Sequence, residues 1–225
     1  MKNKSDKELV LTSNNLILKH LVREPKVETS KNRAIILLHG VGSNEQDLFN
    51  LAGHLPAEFF VIAARAPFAL GPERFAWYQV DFSTGKPVFN EAQELSSRET
   101  IRKFIAEVKQ KYSLDEVYLG GFSQGAIMSY SIGLRHPKEV NGIIALSGRV
   151  LEDLQSTVTK NDELYRLKVF IAHGMQDATL PVHYAKQAKT FLQHLDVPLT
   201  YQEYNMGHQI SGEVLKDLNA WLNAK

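Results

Sequence analysis

Short runs of consecutive apolar residues alternate along this chain with longer amphipathic stretches. Ala34–Leu38, Phe59–Ala63, Gly142–Leu146 and Lys168–Ala172 are such runs, and Glu116–Leu119 is a shorter one. A strand covered on both faces reads as a continuous run of this kind, because neither side chain row meets water. Between the runs, apolar residues recur at helical spacing. Helices are predicted over Asp47–Leu55, from a capping box at Ser96-Ser97-Arg98-Glu99 to near Tyr112, over Ala126–Leu134 up to Pro137, over Pro181–Leu195 and over Gly212–Leu222. Leu199–Tyr204 reads as a further strand. At the N-terminus, Leu9–Leu11 and Leu16–Leu21 flank the turn-rich Thr12-Ser13-Asn14-Asn15, which predicts a hairpin or two edge strands, and Arg23–Arg33 reads as a loop. Alternating buried strands and helices predict an α/β fold, a mostly parallel central sheet with helices on both faces. No stretch resembles a linker, so residues 1–225 are expected to form a single domain.

The pattern loosens from Phe68 to Leu95, where Gly71, Pro72, Gly85 and Pro87 interrupt it and Phe75, Trp77, Tyr78 and Phe82 gather. A long irregular connection in a compact domain usually serves function. Phe75, Trp77 and Tyr78 are therefore candidates for a substrate pocket, with core packing or a homodimer contact as the other uses of the same aromatics.

Composition narrows the function classes. With 26 basic and 25 acidic side chains the net charge is +1, so no strong field gathers nucleic acid or anionic lipid, and a small-molecule substrate is expected instead. The absence of cysteine removes disulfides, thiolate metal sites and a cysteine nucleophile together. The polar start Met1–Glu8 lacks the apolar centre of a signal peptide, and no run is long enough to cross a bilayer. The expected compartment is the cytoplasm.

Candidate chemistry centres on Val117-Tyr118-Leu119-Gly120-Gly121-Phe122-Ser123-Gln124-Gly125-Ala126. A strand that turns sharply into a helix with a serine at the corner is a nucleophile elbow, and small residues two positions either side let strand and helix approach. A bare G-x-S-x-G arises by accident, so its surroundings must carry the reading. A phosphate-binding loop is excluded by Ala126 and Ile127, which stand where Lys and Ser or Thr are required. A dinucleotide fingerprint at Gly40-Val41-Gly42 fails because Glu45 occupies the place of its third glycine.

Ligand sites in such sheets collect beyond the carboxyl ends of strands. His39-Gly40-Val41-Gly42, Ser123, Asp177 after His173-Gly174, and His208 in Asn205-Met206-Gly207-His208 occupy those ends. A serine hydroxyl needs a base, and an imidazole base needs an acid that fixes its tautomer. Ser123, His208 and Asp177 supply these parts in the chain order Ser, Asp, His of this fold. Asp153 and Asp162 are alternatives for the acid, but they lie in a polar connector. His173 reads as a structural histidine, and no histidine shows a metal-ligand pattern. The oxyanion donors are expected to be the backbone N–H of Gln124, after the nucleophile, and that of Val41. No cofactor is expected.

These residues resemble the carboxylesterase, lysophospholipase and acyl-protein thioesterase family of α/β-hydrolases. The resemblance rests on Leu37-Leu38-His39-Gly40-Val41-Gly42, Arg65-Ala66-Pro67, Gly120-Gly121-Phe122-Ser123-Gln124-Gly125-Ala126, His173-Gly174-Met175-Gln176-Asp177 with Pro181, and Met206-Gly207-His208. It implies an α/β-hydrolase fold with no separate cap domain, a Ser123, Asp177 and His208 triad, and backbone donors at Val41 and Gln124. The Phe75-Ala76-Trp77-Tyr78 segment looks like the bacterial small-esterase branch rather than the eukaryotic depalmitoylases. The activity implied is hydrolysis of carboxylic esters, thioesters or lysophospholipids. A noncatalytic ligand-binding protein of the same fold is the alternative.

Overall fold

The computed structural model describes residues 16–81 and 88–224. Its centre is a seven-stranded sheet in the order β1-β3-β2-β8-β9-β10-β11. The strands are β1 (His20–Arg23), β2 (Arg33–Leu38), β3 (Phe59–Ala64), β8 (Glu116–Phe122), β9 (Gly142–Leu146), β10 (Lys168–Gly174) and β11 (Leu199–Tyr204). All neighbours run parallel except β1, which pairs antiparallel with β3 through His20↔Ala64 to Arg23↔Val61. The expected N-terminal hairpin is thus partly replaced. Residues 16–18 are a bend, the strand starts at His20, and its partner is β3, while Leu9–Leu11 lies outside the described residues.

The apolar runs occupy the middle strands, where both faces are covered. Ile36, Leu38, Leu119, Ile143 and Ile171 point to one side and Ile35, Leu37, Ile144, Phe170 and Ala172 to the other, each in its own core. Helices α2 (Glu91–Lys111), α3 (Gln124–Arg135) and α5 (His183–His194) cover the first side, and α6 (Gly212–Asn223) the second. Among the described residues, two short antiparallel ladders stand outside the sheet. They are β4 (Phe68–Gly71) with β5 (Arg74–Ala76), and β6 (Val80–Asp81) with β7 (Val88–Phe89). The Phe68 to Leu95 stretch is therefore more regular than its glycines and prolines suggest.

Two helices have limits well away from those expected, and one helix lies where none was predicted. The segment predicted as Asp47–Leu55 is α1 (Glu45–Phe49), capped by Asn44, followed by a 3₁₀ turn at Ala52–His54. The polar connector after β9 holds a short helix, α4 (Glu152–Thr157), anchored by buried Leu154. Helix α2 starts at Glu91, capped by Asn90, and not at the Ser96 capping box. Its buried stripe continues through Glu94 and Ser97 ahead of Ile101, so two polar residues hide the amphipathic signal. Both are partnered, which offsets the cost of burial: Ser97 Oγ donates to Trp77 O (2.5 Å), and Ser131 Oγ donates to Glu94 Oε1 (2.7 Å).

His20, His39 and His173 are almost wholly buried. Burial holds each below the usual histidine value near 6.5, because a dry interior disfavours imidazolium. As pH falls through 6.5 the unfolded chain takes up protons first, so stability is lost on the acid side. The expected slope is up to about 1.4 kcal/mol per pH unit for each histidine between its folded and unfolded values. Melting curves from pH 7.5 to 5.5 should show the fall, and His20→Phe should flatten it. A melting temperature indifferent to pH would contradict this account.

Candidate active site

At the end of β8 the chain reverses into α3 through Ser123, at φ 55° and ψ −116°. A serine with positive φ is strained, and such strain is kept where neighbours enforce it. Here the enforcement is close backbone packing. A Cβ added to Gly125 would lie 1.8 Å from Leu38 O, and one added to Gly121 would lie 2.4 Å from Gly125 C. Helix α3 is thereby seated against the end of β2. Ser123 N donates to Leu146 O (2.9 Å) and Ile127 N to Ser123 O (3.1 Å), which fix the corner between β9 and the helix.

Asp177 lies three residues beyond β10, its side chain fully buried. Its Oδ1 accepts the N–H groups of Thr179 (2.9 Å) and Leu180 (2.8 Å), and His208 Nδ1 lies 2.6 Å from its Oδ2. A carboxylate accepts only, so His208 carries its proton on Nδ1 and leaves Nε2 free as a base. The loops bearing the two residues are laid together. Met175 N donates to Tyr204 O and Gln176 N to Met206 O, and a Cβ on Gly174 would meet Gly207 O at 2.3 Å. The Phe122 ring packs on the His208 imidazole with centroids 4.6 Å apart, setting the Asp177–His208 pair beside the elbow. Asp153 is directed elsewhere, to Arg135 (2.5 Å), and Asp162 lies in an exposed turn.

The loop after β2 is held by a buried histidine. Ala66 N donates to His39 Nε2 (3.0 Å), so the ring proton is on Nδ1, which donates to Gly40 O (2.8 Å). Gly42 N donates to Phe75 O and Ser43 N to Gly40 O. Val41 N–H, between them, has no backbone acceptor among the described residues. The Gln124 N–H is the first of α3, where a helix has no internal acceptor to offer. Both belong to segments that follow a strand, the loop after β2 and the start of α3 after β8.

Two of the three aromatic pocket candidates take the other use expected of them, core packing. Trp77 is 0% and Tyr78 2% exposed, both in the core. Their backbone braces the elbow: Trp77 N donates to Gln124 Oε1 (2.9 Å), Gln124 Nε2 donates to Tyr78 O (2.7 Å), and Trp77 Nε1 donates to His39 O (2.9 Å). Phe75 exchanges backbone bonds with Gly42 and Ser43, and its ring lies under Arg65, which pairs with Glu45 and Glu73. Trp77 and Tyr78 thus pack in the core, while half-buried Phe75 supports the loop after β2. The cavity beside Val41 is lined by Leu70, Val80, Val88 and Phe89 with Gln79, Asp81 and Asn90, and has a volume of about 560 Å³. Val88 and Phe89 carried no sequence signal beyond lying in the irregular stretch. Among the described residues no three His, Asp or Glu side chains are grouped as metal ligands, and no helix is long and apolar enough to cross a membrane.

The chain is similar to several known proteins. A profile of the phospholipase/carboxylesterase family matches residues 20–225. Acyl-protein thioesterase 1 of Kluyveromyces lactis is 29% identical over 88% of this chain and 93% of its own length. The crystal structure of esterase PE8 superposes with a TM-score of 0.76 at 27% identity, covering 91% of this chain and 97% of that one. A carboxylesterase from Mesorhizobium loti shares the fold, with a TM-score of 0.81 at 22% identity over 96% of this chain and 99% of its own.

Proposed function

Because this chain belongs to the phospholipase/carboxylesterase family of α/β-hydrolases, we propose that it cleaves carboxylic esters through an acyl-enzyme on Ser123, with His208 as base and Asp177 as its orienting acid. The observation that carries the reading is the 2.6 Å Asp177–His208 bond beside the strained elbow. Ser123 Oγ attacks the ester carbonyl carbon while His208 Nε2 takes its proton. The oxyanion that forms is received by the N–H groups of Val41 and Gln124, both preorganised and unspent on protein acceptors. Collapse breaks the bond to the alkoxide, which leaves as the alcohol with the proton from His208. Water then attacks the acyl carbon, His208 again takes the proton, and the acid departs as Ser123 is restored.

The Leu70, Val80, Val88 and Phe89 cavity next to Val41 suits an apolar arm of the ester. A thioester is the second reading, since a relative at 29% identity is named an acyl-protein thioesterase; the same steps then expel a thiol. The test is hydrolysis of nitrophenyl esters from acetate to palmitate beside the matching acyl thioesters. Activity should depend on Ser123, and the chain-length optimum should shift when Phe89→Ala enlarges the cavity. Asp177→Asn should keep the fold and slow turnover roughly 10³–10⁴-fold, because the amide no longer selects the Nδ1–H tautomer. An unaltered rate in that variant would remove Asp177 from the mechanism.

A further inference from the structure

The Asp177 carboxylate has a second imidazole beside it. His173, the penultimate residue of β10, is 0% exposed, and its Nε2 lies 2.7 Å from Leu180 O and 3.4 Å from Asp177 Oδ2. Both neighbours are acceptors, so Nε2 must carry the ring proton. His173 Nδ1 is buried with no hydrogen-bond partner among the described residues. A second ring proton there would bury an unpaired donor together with a charge, so the ring is neutral. The two histidines on Asp177 thus hold opposite tautomers. His208 donates from Nδ1 to Asp177 Oδ2, whereas His173 donates from Nε2 to Leu180 O and brings the same N–H to within 3.4 Å of Oδ2.

The other groups that face His173 do not compete for this role. On β11 its register partner Glu203 accepts from Tyr201 OH (2.7 Å) and pairs with Lys186 of α5 at 3.6 Å. Ser147, just past the end of β9, is a buried hydroxyl without charge. Asp177 is the one carboxylate within reach of His173 Nε2 among the described residues.

Resting on the triad reading, we infer that His173 is a positioning residue for the reaction: its Nε2–H, bonded to Leu180 O, stands 3.4 Å from Asp177 Oδ2 as an electrostatic neighbour that holds the carboxylate in place and draws charge from the oxygen that His208 uses. Leu180 closes the arrangement. Its N–H donates to Oδ1 while its carbonyl accepts from His173, so two hydrogen bonds through the turn tie the ring to the acid. Losing the His173 donor leaves more negative charge facing His208, which favours its protonated form. The base is then lost at a higher pH.

The test compares His173→Gln, whose amide N–H reaches the Nε2 position, with His173→Asn, whose amide stops near Nδ1. In His173→Asn the acidic limb of kcat/KM should move up by about half a pH unit, and kcat should fall roughly 5–20-fold with KM within about twofold. His173→Gln should restore most of both. The far-downfield proton resonance of the His208 Nδ1–H···Asp177 bond, assigned by its loss in Asp177→Asn, should move farther downfield in His173→Asn and stay near the wild-type position in His173→Gln. An acidic limb and a resonance unchanged in His173→Asn would overturn the proposal, as would equal effects of the two variants. The resonance needs no turnover. Absence of Ser123-dependent hydrolysis would sink the esterase reading, while the resonance would still decide the role of His173.

Discussion

Replacing Ser123 with alanine is expected to lower kcat on a nitrophenyl ester by on the order of 10⁵-fold or more, with the melting temperature essentially unchanged. The loss is large because the hydroxyl forms and breaks the covalent bond, so no neighbour can substitute for it. Stability is spared because alanine at φ 55° carries the same backbone strain as serine. Glycine does not share that strain. Ser123→Gly should therefore be equally inactive yet more stable by about 1 kcal/mol, the strain relieved less the entropy glycine gains in the unfolded chain. Circular dichroism melts of the two variants beside active-site titration of the wild type provide the check. A Ser123→Ala protein that still turns over would end the acyl-enzyme mechanism, and a Ser123→Gly protein less stable than wild type would remove the claim of strain.

The largest stability effect is expected at Gly125. Its Cβ would sit 1.8 Å from Leu38 O and 2.9 Å from His39 O, both backbone atoms that cannot swing aside as a side chain can. Gly125→Ala must push α3 away from the end of β2, which breaks the core seam and displaces the Gln124 N–H. The cost should exceed about 4 kcal/mol, a large share of the roughly 5–15 kcal/mol that holds a typical domain. Soluble yield and melting temperature read this directly. Gly212→Ala is the matched control, because nothing lies within 4 Å of a Cβ there and the residue opens α6, where alanine is well suited. A Gly125→Ala protein as stable as Gly212→Ala would show that the strand and helix are not packed as closely as described.

The central strands were legible in the sequence because burial on both faces leaves little freedom of composition. Gly142–Leu146 matches the predicted limits residue for residue, and at the sheet edge Leu199–Tyr204 does so as well. Helix α2 was misread at its start because Glu94 and Ser97 take buried positions, and a buried polar residue paired with a distant partner looks like a surface one in sequence. The same blindness left Trp77 and Tyr78 undivided between pocket and core. Their partner Gln124 is 46 or 47 residues away, and no local pattern announces a side-chain amide that bridges two peptide groups.

The candidate site divides in the same way. Ser123, Asp177 and His208 could be named from the sequence, since each follows a strand and the sheet edge gathers such residues whatever the loop lengths. That Asp177 meets His208, and not Asp153 or Asp162, was decided by the close fit of Gly174 against Gly207 and by the pairing of β10 with β11. The contact of His173 with Asp177 and the cavity of Val88 and Phe89 likewise depend on where separate loops come to lie. The sequence by itself determined the sheet, the elbow and the kinds of group at the strand ends, because periodicity and backbone sterics act over a few residues. Only the tertiary structure decided which carboxylate meets His208, which tautomers the buried histidines hold and which side chains line the cavity beside Val41. Those depend on distances between groups tens of residues apart, which strand order and packing alone set.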